Sequence, residues 1–146
     1  MPATFDNLGI TFQYPDNWQL DEEEMRAGQS AVTVFSPGGA FWSVALHAAS
    51  ADPARMAQAA LDAMRKEYDD LEAAPVNETI AGHALVGFDL NFFYLDLTNT
   101  AAIRSLRIEG TTYTIFFQAE DREYSEIGMV FAAMTLSLLQ GIEKKK

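Results

Sequence analysis

A chain of 146 residues fits one domain, and its 49% hydrophobic and 21% charged content belongs to a folded protein rather than a disordered one. Ten basic residues against twenty-one acidic ones give a net charge of −11, which repels phosphate backbones and anionic membranes, so nucleic-acid binding is not expected. The absence of cysteine removes disulfides, thiolate metal sites and thiol nucleophiles together.

At the N-terminus, "MPATFDNLGITF" lacks a basic region followed by an apolar core, and no apolar run approaches the roughly 20 residues needed to span a bilayer. A cytoplasmic protein without membrane insertion is therefore expected. "FDNLGITFQYP" reads as a short strand, a turn over 7–9 and a strand over 10–14 that Pro15 ends, because proline donates no ladder hydrogen bond. Trp18 and Leu20 resume the alternation, which makes Trp18 an expected core anchor. Residues 31–36 and 40–48 form a hairpin around "SPGG", with Trp42, Val44 and Leu46 on one face of the second strand.

Asp52-Pro53 starts a helix, with Asp52 as N-cap and Pro53 in the first turn. Met56, Ala57, Ala60, Leu61, Met64, Tyr68 and Leu71 then share an apolar arc of roughly 140°. Strands follow at about 72–80, 83–97, 101–109 and 111–119, with turns at Ala81-Gly82, at 98–100 and at Gly110. The second of these carries Val86, Phe88, Leu90, Phe92 and Tyr94 on one face. Its other face is polar at one end and apolar at the other, so it is covered over only part of its length. A last helix follows "AEDREYSE", with Tyr124, Ile127, Phe131, Met134 and Leu138 as its stripe. Residues 127–139 of that helix contain no charge. Either it is buried on more than one side, by the N-terminal strands for example, or it meets another chain. Four strands, a helix, four strands and a helix, joined by short turns, predict an α+β fold in which helices flank a mostly antiparallel sheet as an α/β/α sandwich. Residues 1–141 form the single domain, and 142–146, ending in three lysines, are expected as a disordered basic tail.

The opening strand with "YPDNW", the helix beginning at "DP" and the late block "FFQAEDREYSEIGMVFAAMTLSL" together resemble the Mog1/PsbP-like fold family. The resemblance covers the order of elements along nearly the whole chain. It implies a protein that is not an enzyme. The family includes a Ran-binding nuclear transport factor, extrinsic photosystem II subunits and bacterial DcrB-like proteins, among them chaperones that hold apolar segments of secretion effectors. No binding residue is carried over from the family to this chain.

No catalytic constellation is legible. His47 and His83 are the only histidines and stand in no HxxxH or HxxE spacing, so neither a metal nor any other cofactor is expected. The acidic clusters 21–24, 69–72 and 120–123 lack the alternating ligands and glycine of a calcium loop and read as solvated faces. There is no GxSxG elbow, GxGxxG or P-loop. Phe41, Phe93, Leu95 and Phe116 would cluster if their strands are neighbours, and Met129 and Leu136 fall on the far side of the last helix. These six residues are the expected partner-binding surface, with another protein or a second copy of the chain as partner. The alternatives are a small apolar ligand held between sheet and helix, and a hydrolase whose carboxylates converge only in space.

Overall fold

The computed structural model describes residues 2–144. Strands β1 (Pro2–Asn7) and β2 (Ile10–Pro15) form an antiparallel hairpin closed by a two-residue turn at Leu8-Gly9, and this hairpin stands apart from the main sheet. β3 (Gln19–Asp21), a single turn of helix α1 (Glu23–Arg26), β4 (Ala31–Phe35) and β5 (Phe41–Ala48) follow. Helix α2 (Pro53–Glu67) then crosses the sheet to β6 (Glu72–Ile80), β7 (His83–Tyr94), β8 (Leu97–Ile108) and β9 (Thr111–Glu120), and helix α3 (Asp121–Lys144) ends the chain. The main sheet has seven strands in the order β3-β4-β5-β9-β8-β7-β6, every neighbouring pair antiparallel. With α2 on one face and α3 on the other, this is the expected α+β sandwich.

Helix α2 begins where the sequence places it, whereas α3 begins at Asp121, inside the "AEDREYSE" it is expected to follow. The Asp52 side chain accepts from the Arg55 N–H at 3.1 Å, and Pro53 opens α2. Glu120 accepts from the N–H groups of Arg122 and Glu123, which satisfies the first turn of α3. The sheet edges are of the kind that discourage further pairing: β3 is three residues long, and β6 carries Pro75 with Glu72 and Glu78.

Two cores result. Under α2, Ala57 and Leu61 bury Leu90, Phe92, Ala101 and Ile103. The larger core lies under α3, where Phe131 stacks on Phe117 at 4.7 Å and the buried Trp42 indole donates to the Thr135 hydroxyl at 3.1 Å. The β1–β2 hairpin belongs to this second core. Phe12 lies 4.9 Å from Trp42, ring centre to ring centre, and Trp18 meets Phe131 edge-on at 6.0 Å. Trp18 is thus the anchor that its spacing predicts.

Three expectations are corrected. The β7–β8 turn lies at Leu95-Asp96, both at positive φ, and not at 98–100, which belongs to β8. The helix also runs through the segment expected to begin a disordered tail: α3 continues to Lys144 and Ile142 is buried in the core, while 145–146 lie outside the described residues. The third concerns apolar length. Asp121–Glu143 is long and apolar enough, by length and composition alone, to cross a membrane. Packing accounts for part of that composition, since Phe131, Met134, Leu138 and Leu139 are buried within the protein.

Candidate functional site: a groove between the N-terminal hairpin and the last helix

An alternating strand such as β2 sends Ile10 and Phe12 into the core, and the two-residue turn sets which of its backbone groups point away from β1. The outward groups meet α3. The Gln13 N–H donates to the Ser137 hydroxyl at 2.9 Å. Gly141 sits directly beneath the Thr11 carbonyl oxygen, where any Cβ would collide with it. Contact is close at this C-terminal end of α3 and opens toward its middle. There, Tyr14 and Pro15 on one side and Met129, Val130, Ala133 and Met134 on the other enclose a groove of about 500 Å³. Among the described residues of its lining, Asp16 alone carries a charged side chain.

The expected dilemma over α3 therefore has a specific answer. The sheet covers one flank of the helix and β2 covers a second. A third stripe remains open, with Met129 85% and Leu136 38% exposed and Ala132 and Ala133 exposed near them. The N-terminal strands account for part of the uncharged run and leave the rest in solvent.

The four sheet residues do not gather as expected. Phe41 and Phe116 stack at 5.7 Å, and Phe35 joins them at 5.8 Å from Phe41, all on the α2 side. Phe93 lies on the opposite face of the sheet. It is in phase with Asn91, whose neighbour Thr100 hydrogen-bonds to Asp121 of α3, whereas Phe92 faces α2. Leu95 belongs to neither face because it occupies the turn. The 59% exposed Phe93 and 76% exposed Leu95 thus form a separate surface at the end of the β7–β8 hairpin.

A polar cluster forms around the buried Arg104, which the sequence reading does not single out. Arg104, from the middle of β8, donates to Glu78 at 2.5 Å and Asp89 at 2.7 Å, and to the carbonyls of Phe88 and Ile103. It lies opposite Gly87, which brings β7 so close to β8 that a Cβ would strike the Ile103 carbonyl. Burial acts to lower the Arg104 pKa, but the hydrogen bonds and charges of Glu78 and Asp89 outweigh it and hold the guanidinium protonated. On the neighbouring α3, burial and then the Asp89 charge push the Tyr124 phenol up. Both sites of ionisation are locked in the form they already hold at neutral pH, which suits a structural clamp rather than proton transfer. Among the described residues, no three His, Cys, Asp or Glu side chains converge in a way that could hold a metal ion. The signal in the sequence is Arg104, which shares the phase of the apolar Ala102, Leu106 and Ile108 in the strand "AAIRSLRI".

No protein-family model matches the sequence, and no curated protein matches it. Solved structures do match in shape. A Pseudomonas aeruginosa protein of unknown function superposes with a TM-score of 0.59 at 14% identity, over 94% of this chain and 95% of that one. The cyanobacterial PsbP of Synechocystis gives 0.61 at 14% identity, over 93% and 90%. The Saccharomyces cerevisiae Ran-binding protein Mog1p gives 0.58 at 13% identity, over 99% and 94%. Seven antiparallel strands, a crossing helix and a long terminal helix in this order place the chain in the Mog1/PsbP-like fold.

Proposed function

We propose that the chain is a cytoplasmic, non-enzymatic interaction module that holds a segment of another protein in the groove between β2 and α3. The observation that carries this reading is the open stripe of α3. A helix already buried on two flanks keeps Met129, Ala133 and Leu136 in water, with an apolar groove beside them. Flexible methionine beside small alanines makes an adaptable wall for an apolar side chain, and a groove of this size admits one or two such side chains. The fold comparison agrees in kind, since Mog1p is named for binding another protein. The test is affinity capture from the cells that make the protein, with wild type beside Ala133→Glu. One protein should be enriched by wild type and lost with the variant at unchanged melting temperature. Equal capture by both would contradict the reading.

The same stripe favours a second occupant, another copy of this chain. Screening over about 8 Å at physiological salt leaves a net charge of −11 only a weak obstacle to self-association. Light scattering after size exclusion separates the two. A dimer twice 16.1 kDa that dissociates on Leu136→Glu would place a copy on the stripe, whereas a 16.1 kDa monomer leaves it free for a different partner.

A further inference from the structure

The end of the β7–β8 hairpin holds Phe93, Tyr94, Leu95 and Leu97, four of the seven exposed large hydrophobic residues among those described. Tyr94 meets Tyr68 edge-on at 6.0 Å, but local folding does not call for a leucine at the turn. A two-residue turn with both residues at positive φ favours Asn-Gly or Asp-Gly, and here it carries Leu95, whose side chain is disfavoured in that conformation and 76% exposed. Apolar surface kept at such a place has a use other than the turn itself.

The surroundings specify what would cover it. On one side of the hairpin end a cleft of about 190 Å³ runs between Tyr94, Leu95 and Leu97 and the carboxylates of Glu120 and Glu123. On the other side a cleft of about 280 Å³ lies along Phe93, bordered by Asp70, Glu72 and Asp121. Among the described residues, no lysine, arginine or histidine lines either cleft. Where these carboxylates are hydrogen-bonded, the donors are neutral: the Phe93 N–H to Asp70, the Thr100 hydroxyl to Asp121, the Ser36 hydroxyl to Glu123, and the N–H groups of Arg122 and Glu123 to Glu120. Asp70, Glu72 and Asp121 are exposed and Glu120 and Glu123 half-buried, so much of this negative charge meets solvent beside an apolar ridge.

We infer that this hairpin end is a second docking surface, separate from the α3 groove, for a partner segment that alternates lysine or arginine with large apolar side chains. The apolar side chains would cover Leu95 and its neighbours, and the cations would enter the two acidic clefts. Apolar contact supplies the anchor, and the ring of charge rejects acidic segments.

A synthetic peptide alternating lysine and leucine, titrated by fluorescence anisotropy against the full chain, tests this. Binding should weaken by at least about fivefold as salt rises from about 50 to about 300 mM. Leu95→Asn suits the turn better than leucine, so it should fold normally and still bind about tenfold more weakly. A peptide with glutamate in place of lysine should not bind. Equal binding of that peptide, or undiminished binding to Leu95→Asn, would overturn the inference. So would loss of binding in Ala133→Glu with none in Leu95→Asn, because that result places the peptide in the α3 groove.

Discussion

The two exposed apolar surfaces differ in what they rest on. The groove lies along the outer flank of α3, a helix whose other flanks hold the larger core together, so Met129 and Ala133 share a helix with Phe131 and Met134. The β7–β8 hairpin end lies at the margin of the sheet, where Tyr94 meets Tyr68 edge-on at 6.0 Å, and its turn runs against the preference of its own residues. The first surface is the uncovered flank of a core helix, and little charge borders it. The second is an apolar ridge held at a conformational cost and bordered by carboxylates. Shape should dominate recognition at the groove and charge at the hairpin end.

Substitutions can break or sharpen that contrast. The largest effect belongs to the shared core under α3: Trp18→Ala removes the ring packed against Phe131 and should cost about 3–5 kcal/mol, read by urea denaturation. An unchanged midpoint would show that the β1–β2 hairpin is not fastened to α3 in this way. Gly141→Ala forces β2 away from the helix at the Thr11 carbonyl and should cost about 1–3 kcal/mol. It should also widen the groove, so a loss of partner capture together with that loss of stability is expected. Arg104→Met leaves the Phe88 and Ile103 carbonyls without their donor. Glu78 and Asp89 can still reach water, which limits the loss to about 1–3 kcal/mol. Ala133→Glu, on the open stripe, should leave stability within about 0.5 kcal/mol. The smallest effect has the opposite sign: Leu95→Asn should raise stability by about 0.5 kcal/mol, because asparagine tolerates the left-handed turn.

What could be read from the sequence follows the range of the forces involved. The Asp52 cap, the α2 arc from Met56 to Met64 and the α3 stripe depend on residues within a turn or two of one another, and each is where the spacing places it, although α2 ends at Glu67, before the Tyr68 and Leu71 of the expected arc. The β7–β8 turn was misplaced because Leu95-Asp96 carries no glycine or asparagine, whereas the polar run "TNT" just beyond looks like a turn and is a paired strand. Phe93 and Phe116 were grouped because both are aromatic and their strands lie close. Their separation onto opposite faces depends on register across β7, β8 and β9, which no local pattern reports. Met129 and Leu136 were recognised as the far side of α3 from helical phase alone. Tyr14, Pro15 and Val130 were not joined to them, because that needs the first hairpin to leave the sheet and lie against the last helix, a contact between the two ends of the chain. Arg104 passed unnoticed for a similar reason: its partners come from β6 and β7, and only the folded sheet brings them together.

The most direct test of the α3 stripe as a partner surface is site-specific photo-crosslinking in the cells that make the protein. A benzophenone amino acid is placed at Met129 in one variant and at Gln58, on the exposed polar face of α2, in another. Met129 should yield one discrete adduct with a second polypeptide, and Gln58 none. No adduct from Met129, or the same adducts from both positions, would contradict the assignment of α3 and its groove as the interaction surface.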